Sequence, residues 1–148
     1  MRILELEEKF QQETTLNEVL EALKEDFSMV DYYAGILRSG IIDNAHEANE
    51  ALGKLTGTFS NLRTALGVAE TEKKNREVRK YNQIRIDKEN ASEKFTSASA
   101  EKEASAHVGE YRRIRNIIEA YKEACEKDIS SLQSILKDLI REGKQPAE

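Results

Sequence analysis

From Ile41 to Ala69 the apolar positions recur in alternating steps of four and three: Ile41, Ala45, Ala48, Leu52, Leu55, Phe59, Leu62, Leu66 and Ala69. That spacing places one apolar stripe along a single helix, of the kind that packs lengthwise against another helix. Beyond Ala69 the same register reads Lys73, Arg76 and Lys80. A long helix is therefore expected to seek a helical partner with its first half and something negative with its second.

Upstream, Leu16, Val19, Leu20, Leu23, Phe27, Val30, Ala34 and Leu37 line one face of a second expected helix. Thr15-Leu-Asn-Glu18 has the form of a capping box at its start. Ser39-Gly40 ends it, since glycine accepts the left-handed conformation past a helix terminus. Asp43 is the expected cap of the long helix. The first ten residues, with Ile3, Leu4, Leu6 and Phe10, suffice for a short helix or a docking arm. Downstream the pattern weakens at Asn90. Asn90-Ala-Ser-Glu93 is either a second cap or part of a continuous rod, and the small, polar Phe95–Ala100 stretch reads as a loop or hinge. A final helix carries Val108, Tyr111, Ile114, Ile118, Tyr121, Cys125, Ile129, Leu132, Ile135, Leu136 and Leu139. It fades at Gly143 before Pro146, and the last six residues are expected to fray.

The expected fold is all-α, with long helices in an antiparallel coiled-coil-like hairpin or bundle. Residues 1–40 form an acidic helical segment, 41–142 a long-helix hairpin with a basic middle, and 143–148 a tail. Leu52, Leu55, Phe59, Leu62 and Leu66 of the central stripe, with Ile118, Leu132 and Leu139 of the last, are the expected packing and oligomer contacts. Two exposed stripes exceed the apolar area that a soluble monomer tolerates, and a hairpin buries a seam rather than a core. Self-association is expected, against the alternative of a three- or four-helix bundle closed on itself. Gly53, Gly57 and Gly67 imply either close backbone approach or a bend, because each costs about 1 kcal/mol relative to alanine in a helix.

Composition adds little to the fold and more to the partners. Charged residues are 34% of the 148, with a single proline and no tryptophan, which argues against a compact β domain. No run of apolar residues is long enough to span a bilayer, and the acidic N-terminus lacks a signal core, so a cytoplasmic location is expected. The net charge of −5 conceals an asymmetry. Residues 1–31 hold nine carboxylates against three cations, a net of −6. Residues 73–88 hold seven cations against two carboxylates, a net of +5.

Catalytic patterns are sparse. Asp43 and His46 lie one turn apart but lack the further carboxylates of a dimetal bundle site. Glu103 and His107 make a plausible surface pair, and Cys125 falls on an apolar face as a buried side chain. No enzyme activity, metal, cofactor or small-molecule substrate is expected. Lys73, Lys74, Arg76, Arg79, Lys80, Arg85 and Lys88, with Tyr81 among them, have the character of a single-strand site, in which cations follow phosphates and an aromatic stacks on a base. The run Tyr111-Arg112-Arg113-Ile114-Arg115 repeats the combination on the last helix, with Arg112 and Arg113 as its DNA-binding candidates. Repetition in an oligomer would add avidity.

The order of these features carries a resemblance. A heptad helix enters Arg76-Glu-Val-Arg79-Lys80-Tyr81. Lys94-Phe-Thr96-Ser-Ala98-Ser-Ala100-Glu101 follows, then Glu110-Tyr111-Arg-Arg and Ile129-Ser-Ser-Leu132-Gln133-Ser134-Ile-Leu-Lys137-Asp-Leu139. Over residues 45–142 this resembles the UvsY-like recombination mediators of tailed phages. The resemblance implies a non-enzymatic, ring-like homo-oligomer that binds single-stranded DNA. It also implies assistance to a recombinase loading onto strands covered by single-strand-binding protein, in the host cytoplasm. Arg76, Arg79 and Lys80 match the family's DNA-contacting stretch, with Tyr81 beside them. The acidic first forty residues depart from the family and are a candidate dock for a basic partner protein. The competing expectation is a structural coiled-coil scaffold without nucleic-acid affinity.

Overall fold

The computed structural model describes residues 3–143, and among them the fold is all-α with no strand. Helix α1 spans Ile3–Phe10, α2 Leu16–Ala22, α3 Lys24–Ser39, α4 Ala45–Asn90, α5 Ser97–His107 and α6 Gly109–Arg141. A single 3-10 turn at Glu13–Thr15 precedes α2. The fraying expected at the C-terminus falls on residues outside those described, save Gly143.

The frame is an antiparallel pair. At a rise of 1.5 Å per residue, the 46 residues of α4 span about 69 Å. Helix α6 returns alongside it. The Cys125 thiol donates to the Leu55 carbonyl (3.3 Å) near one end, and Arg115 reaches Glu70 (2.6 Å) further along. Beyond the α5–α6 junction the Tyr81 and Ser97 hydroxyls meet at 3.0 Å. The continuous rod considered at Asn90 is thus replaced by two helices. Helix α4 closes with Ser92 at φ 55° and the Glu93 amide donating to the Lys88 carbonyl, a Schellman-type ending rather than a new cap. The expected loop shrinks accordingly. Helix α5 already starts at Ser97, because Ala100 and Ala104 are small enough to bury against α4.

Helices α1–α3 fill the groove of the pair over the first half of α4, so the acidic N-terminal forty residues share its cores. One core joins Leu6, Phe10, Leu16, Val19 and Leu23 to Ala65, Ala69, Tyr111, Ile114 and Ile118. The other joins Val30 and Tyr33 to Ala51, Leu55, Leu62, Cys125 and Leu132. Phe27 packs against both and stacks on Tyr121 at 4.3 Å. The helix expected over residues 16–39 is broken at Leu23 (φ −100°, ψ 3°), which is itself fully buried. The break lets α2 serve the first core and α3 the second.

Local details differ from expectation in instructive ways. Thr15 makes no cap: its hydroxyl donates to the Lys9 and Gln12 carbonyls instead. Asn44, not Asp43, caps α4, accepting from the Glu47 amide at 2.9 Å. Gly40 has the expected left-handed conformation, φ 67°. Gly53, Gly57 and Gly67 face open space, so close backbone approach does not explain them. Ile41 is exposed, ahead of α4 rather than on its stripe.

The stripe itself is rotated slightly from its sequence reading. The buried rows of α4 are Ala48-Leu55-Leu62-Ala69 and Ala51-Thr58-Ala65. Leu52, Phe59 and Leu66 form an edge row, only partly buried. Leu55, Leu62, Ile118, Leu132 and Leu139 are buried as expected, but within one chain.

Among the described buried side-chain atoms without a partner, one belongs to a carboxylate. The Asp128 Oδ2 atom is buried without a hydrogen-bond partner, and desolvation raises the carboxyl's pKa. Its folded pKa lies above its unfolded one, so the folded state holds the proton more tightly. Stability on this account falls as pH rises from the ordinary carboxylate value through the raised one. Asp26, hydrogen-bonded to Asn61 at 3.2 Å, shifts the same way through burial. Asp128→Asn should therefore flatten this part of the pH dependence, since the amide does not titrate. Thermal melts from acid to neutral pH check it, and an unchanged profile counts against the assignment.

Candidate nucleic-acid interface

The distal half of α4 keeps α1 against it at Ala69 and Arg76, and past these positions it has α5 beside it. Here the rows of α4 decide the fate of each charge. Arg76 lies seven residues after Ala69, so it occupies the next core position of the row Ala48-Leu55-Leu62-Ala69. It turns inward. Its guanidinium donates to the Phe10 carbonyl (3.1 Å) and to that of Gln11, at the C-terminal end of α1. It lies over the Tyr111 ring at 4.5 Å, and its Nε is 3.9 Å from Glu72. A cation at a helix C-terminus meets both the free carbonyls and the negative end of the dipole. The position expected to contact DNA thus fastens α1 to α4 and α6.

Arg76→Ala should accordingly cost about 2 kcal/mol of stability through lost charged hydrogen bonds and ring contact. Affinity for a single strand should change little. Denaturant unfolding and an oligonucleotide titration of the same variant separate the two. Weakened binding with unchanged stability would reverse this assignment.

The next positions are different. Lys73 and Lys80 continue the edge row of Leu52, Phe59 and Leu66 and are half-buried. Lys74, Arg79 and Arg85 are exposed on the outward side. None of these five makes a hydrogen bond or ion pair with another described residue. The other candidates are engaged. Lys88 pairs with Glu93 at 2.8 Å and Arg113 with Glu110 at 3.2 Å. Arg112 donates to the Ser105 carbonyl and hydroxyl at 3.0 and 2.7 Å. The Tyr81 ring meets Phe95 edge-on, 5.8 Å between centroids, and its hydroxyl reaches Ser97. One ring edge is thereby held against α5's leading turn, which restricts Tyr81 as a stacking platform.

Arg115, the last cation of the Tyr111–Arg115 run, proves to be a clamp. It bonds Glu70 across the helix pair and Glu119 on its own helix, and the Glu70 hydrogen bond leads the upward shift of its pKa. The signal available in sequence was its i, i+4 spacing to Glu119. Cys125 is fully buried, and desolvation pushes its thiol up to about 11, which suppresses the thiolate that nucleophilic or metal chemistry needs. Among the described residues no group of histidine, cysteine and carboxylate side chains is placed to hold a metal ion. No helix of the described residues is long and apolar enough to cross a membrane. No family model, curated protein or solved structure matches the chain.

Proposed function

We propose that this protein is a recombination mediator. It binds single-stranded DNA as a homo-oligomer along distal α4 and assists a recombinase in loading onto strands covered by single-strand-binding protein. The observation that carries the DNA-binding part is the set Lys73, Lys74, Arg79, Lys80 and Arg85: five cations within thirteen residues without a carboxylate partner among the described residues. In a chain of net charge −5, unpaired cations concentrated on one helix are a surface for a polyanion. The recombinase and single-strand-binding protein follow from the UvsY-like resemblance of residues 45–142. The acidic α1–α2 surface is the proposed dock for a basic partner protein, and charge reversal of its exposed Glu8, Glu13 and Glu21 without loss of recombinase stimulation would remove it from that role. The site of action is the cytoplasm.

With Tyr81 held against Phe95, binding is carried by charge, and its dependence on base composition is weak. Anisotropy titration of a labelled single-stranded oligonucleotide, with light scattering of the same solution, tests the reading. Saturable binding by an assembled species near physiological salt is expected. A second reading, a structural scaffold, is favoured by the apolar side chains left exposed at both ends of α4. It predicts assembly with no affinity for the oligonucleotide.

A further inference from the structure

Lys74, Val78, Tyr81 and Arg85 follow one another in steps of four, three and four, so they share one face of distal α4. Lys74 and Arg85 are two of the unpaired cations, about 17 Å apart along the axis. Between them the surface is hollow. Val78, 51% exposed, opens onto a groove between α4 and α5. Its cavity of about 290 Å³ is at the small end of ligand seats. Val78, Ala104 and Tyr81 wall it, and Glu77 of α4 and Glu101 of α5 complete its lining. The contacts of Tyr81 to Phe95 and Ser97, which restrict it as a free platform, fix it as a wall.

The charges of this groove are arranged by depth. Glu77 and Glu101 line it from opposite helices, and neither has a hydrogen bond or ion pair with another described residue. Lys73, Lys74 and Lys80 lie within one turn of Glu77 along α4, yet none of them pairs with it. Two carboxylates against apolar walls exclude an anion from the groove itself and favour a group that donates hydrogen bonds. Lys74 and Arg85, at the two ends, favour anions. An occupant suited to all of this is anionic at both ends, flat and apolar in the middle, and a donor at its inner edge. A short stretch of single strand with an amino-bearing base has that order of properties.

We infer that the groove is a seat for one unpaired nucleobase and that it selects a base with an exocyclic amino group, cytosine over thymine. The strand follows the Lys74–Arg85 face with phosphates on those two cations. One base turns inward onto Val78, Ala104 and the Tyr81 ring, and its amino group donates to Glu77 or Glu101, the pairing that acidic side chains make with cytosine. Thymine is of similar size but offers a carbonyl at that edge, which the carboxylates repel. A base held in a duplex has no free amino edge to turn inward, so the seat also favours unpaired strands. This rests on the DNA-binding reading above and deepens it. Charge supplies the affinity, and the groove adds a preference of about fivefold, small beside the thousandfold that the cations carry.

Oligo-dC and oligo-dT of equal length, titrated at one salt concentration and mildly alkaline pH, test it. Wild type is expected to bind oligo-dC about fivefold more tightly. Glu77→Ala with Glu101→Ala removes both acceptors. Binding of both strands should then tighten, because two negative charges are gone, while the ratio between them falls to about one. A role in charge alone would move both affinities and leave the ratio as it was. Circular dichroism and thermal melting report whether the double variant folds. Glu101→Ala alone, at an exposed position on α5, gives the same readout with a reduced ratio if it does not. Equal affinities in wild type, or a ratio that survives in the variants, would overturn the seat and leave the DNA-binding reading in place. Absence of binding to either strand would overturn that reading and the seat with it.

Discussion

Leu62→Ala should lower stability by about 3 kcal/mol, within the range for a fully buried leucine truncated in a packed core. Leu62 is completely buried where α3, α4 and α6 meet, in the core with Val30, Leu55 and Leu132. Removing its isobutyl group leaves a cavity that three helices cannot collapse together. For a domain of this size the loss corresponds to about 10 °C in Tm. Leu52→Ala, in the partly buried edge row, should cost about 1 kcal/mol. The contrast tests the register. The alternating stripe treats Leu52 and Leu62 as equals, whereas the packing separates them. Denaturant unfolding of both variants decides it, and equal losses would place the buried seam of α4 elsewhere.

The larger functional effect is expected from neutralising the five unpaired cations together. Changing Lys73, Lys74, Arg79, Lys80 and Arg85 to Gln should reduce single-strand affinity about a thousandfold at 0.1 M salt. Each phosphate neutralised contributes about 0.7 to the log–log salt slope, so five contacts give about −3.5, or some three decades between 1 M and 0.1 M salt. Helicity and Tm should hold, since none of the five bonds to another described residue. Charge repulsion along α4 is relieved as well. A variant that binds as tightly as wild type would relocate the interface, and a variant that unfolds would mean that these side chains support the helix.

How far the sequence carried this picture depended on the physics of each feature. The all-α character was legible, because 3.6-residue periodicity and the stop at Gly40 are local. The break at Leu23 was not: both α2 and α3 have good helical periodicity, and what parts them is two separate cores competing for one amphipathic face. The caps failed for a similar reason. Thr15 has a better acceptor in the Lys9 carbonyl, available only once α1 folds back. The cations were legible as a cluster but not as individuals. Arg76 seemed to open a free basic face, yet counting sevens from Leu55 through Leu62 and Ala69 lands on it. A core position can hold a guanidinium when a helix end supplies carbonyls and Tyr111 supplies a ring face. Lys74, Arg79 and Arg85 fall between the rows and stay outside. The pairs Glu70–Arg115 and Lys88–Glu93 could not be read, since they depend on where helices end and return.

The account rests on distal α4 offering phosphates cations that its own chain does not use. The most direct measurement is the affinity of the wild-type protein for a single-stranded oligonucleotide over a series of salt concentrations. A straight log–log plot with slope about −3.5, or about tenfold weaker binding per doubling of salt, is the predicted result. Affinity that is absent at low salt, or that does not change with salt, would contradict it.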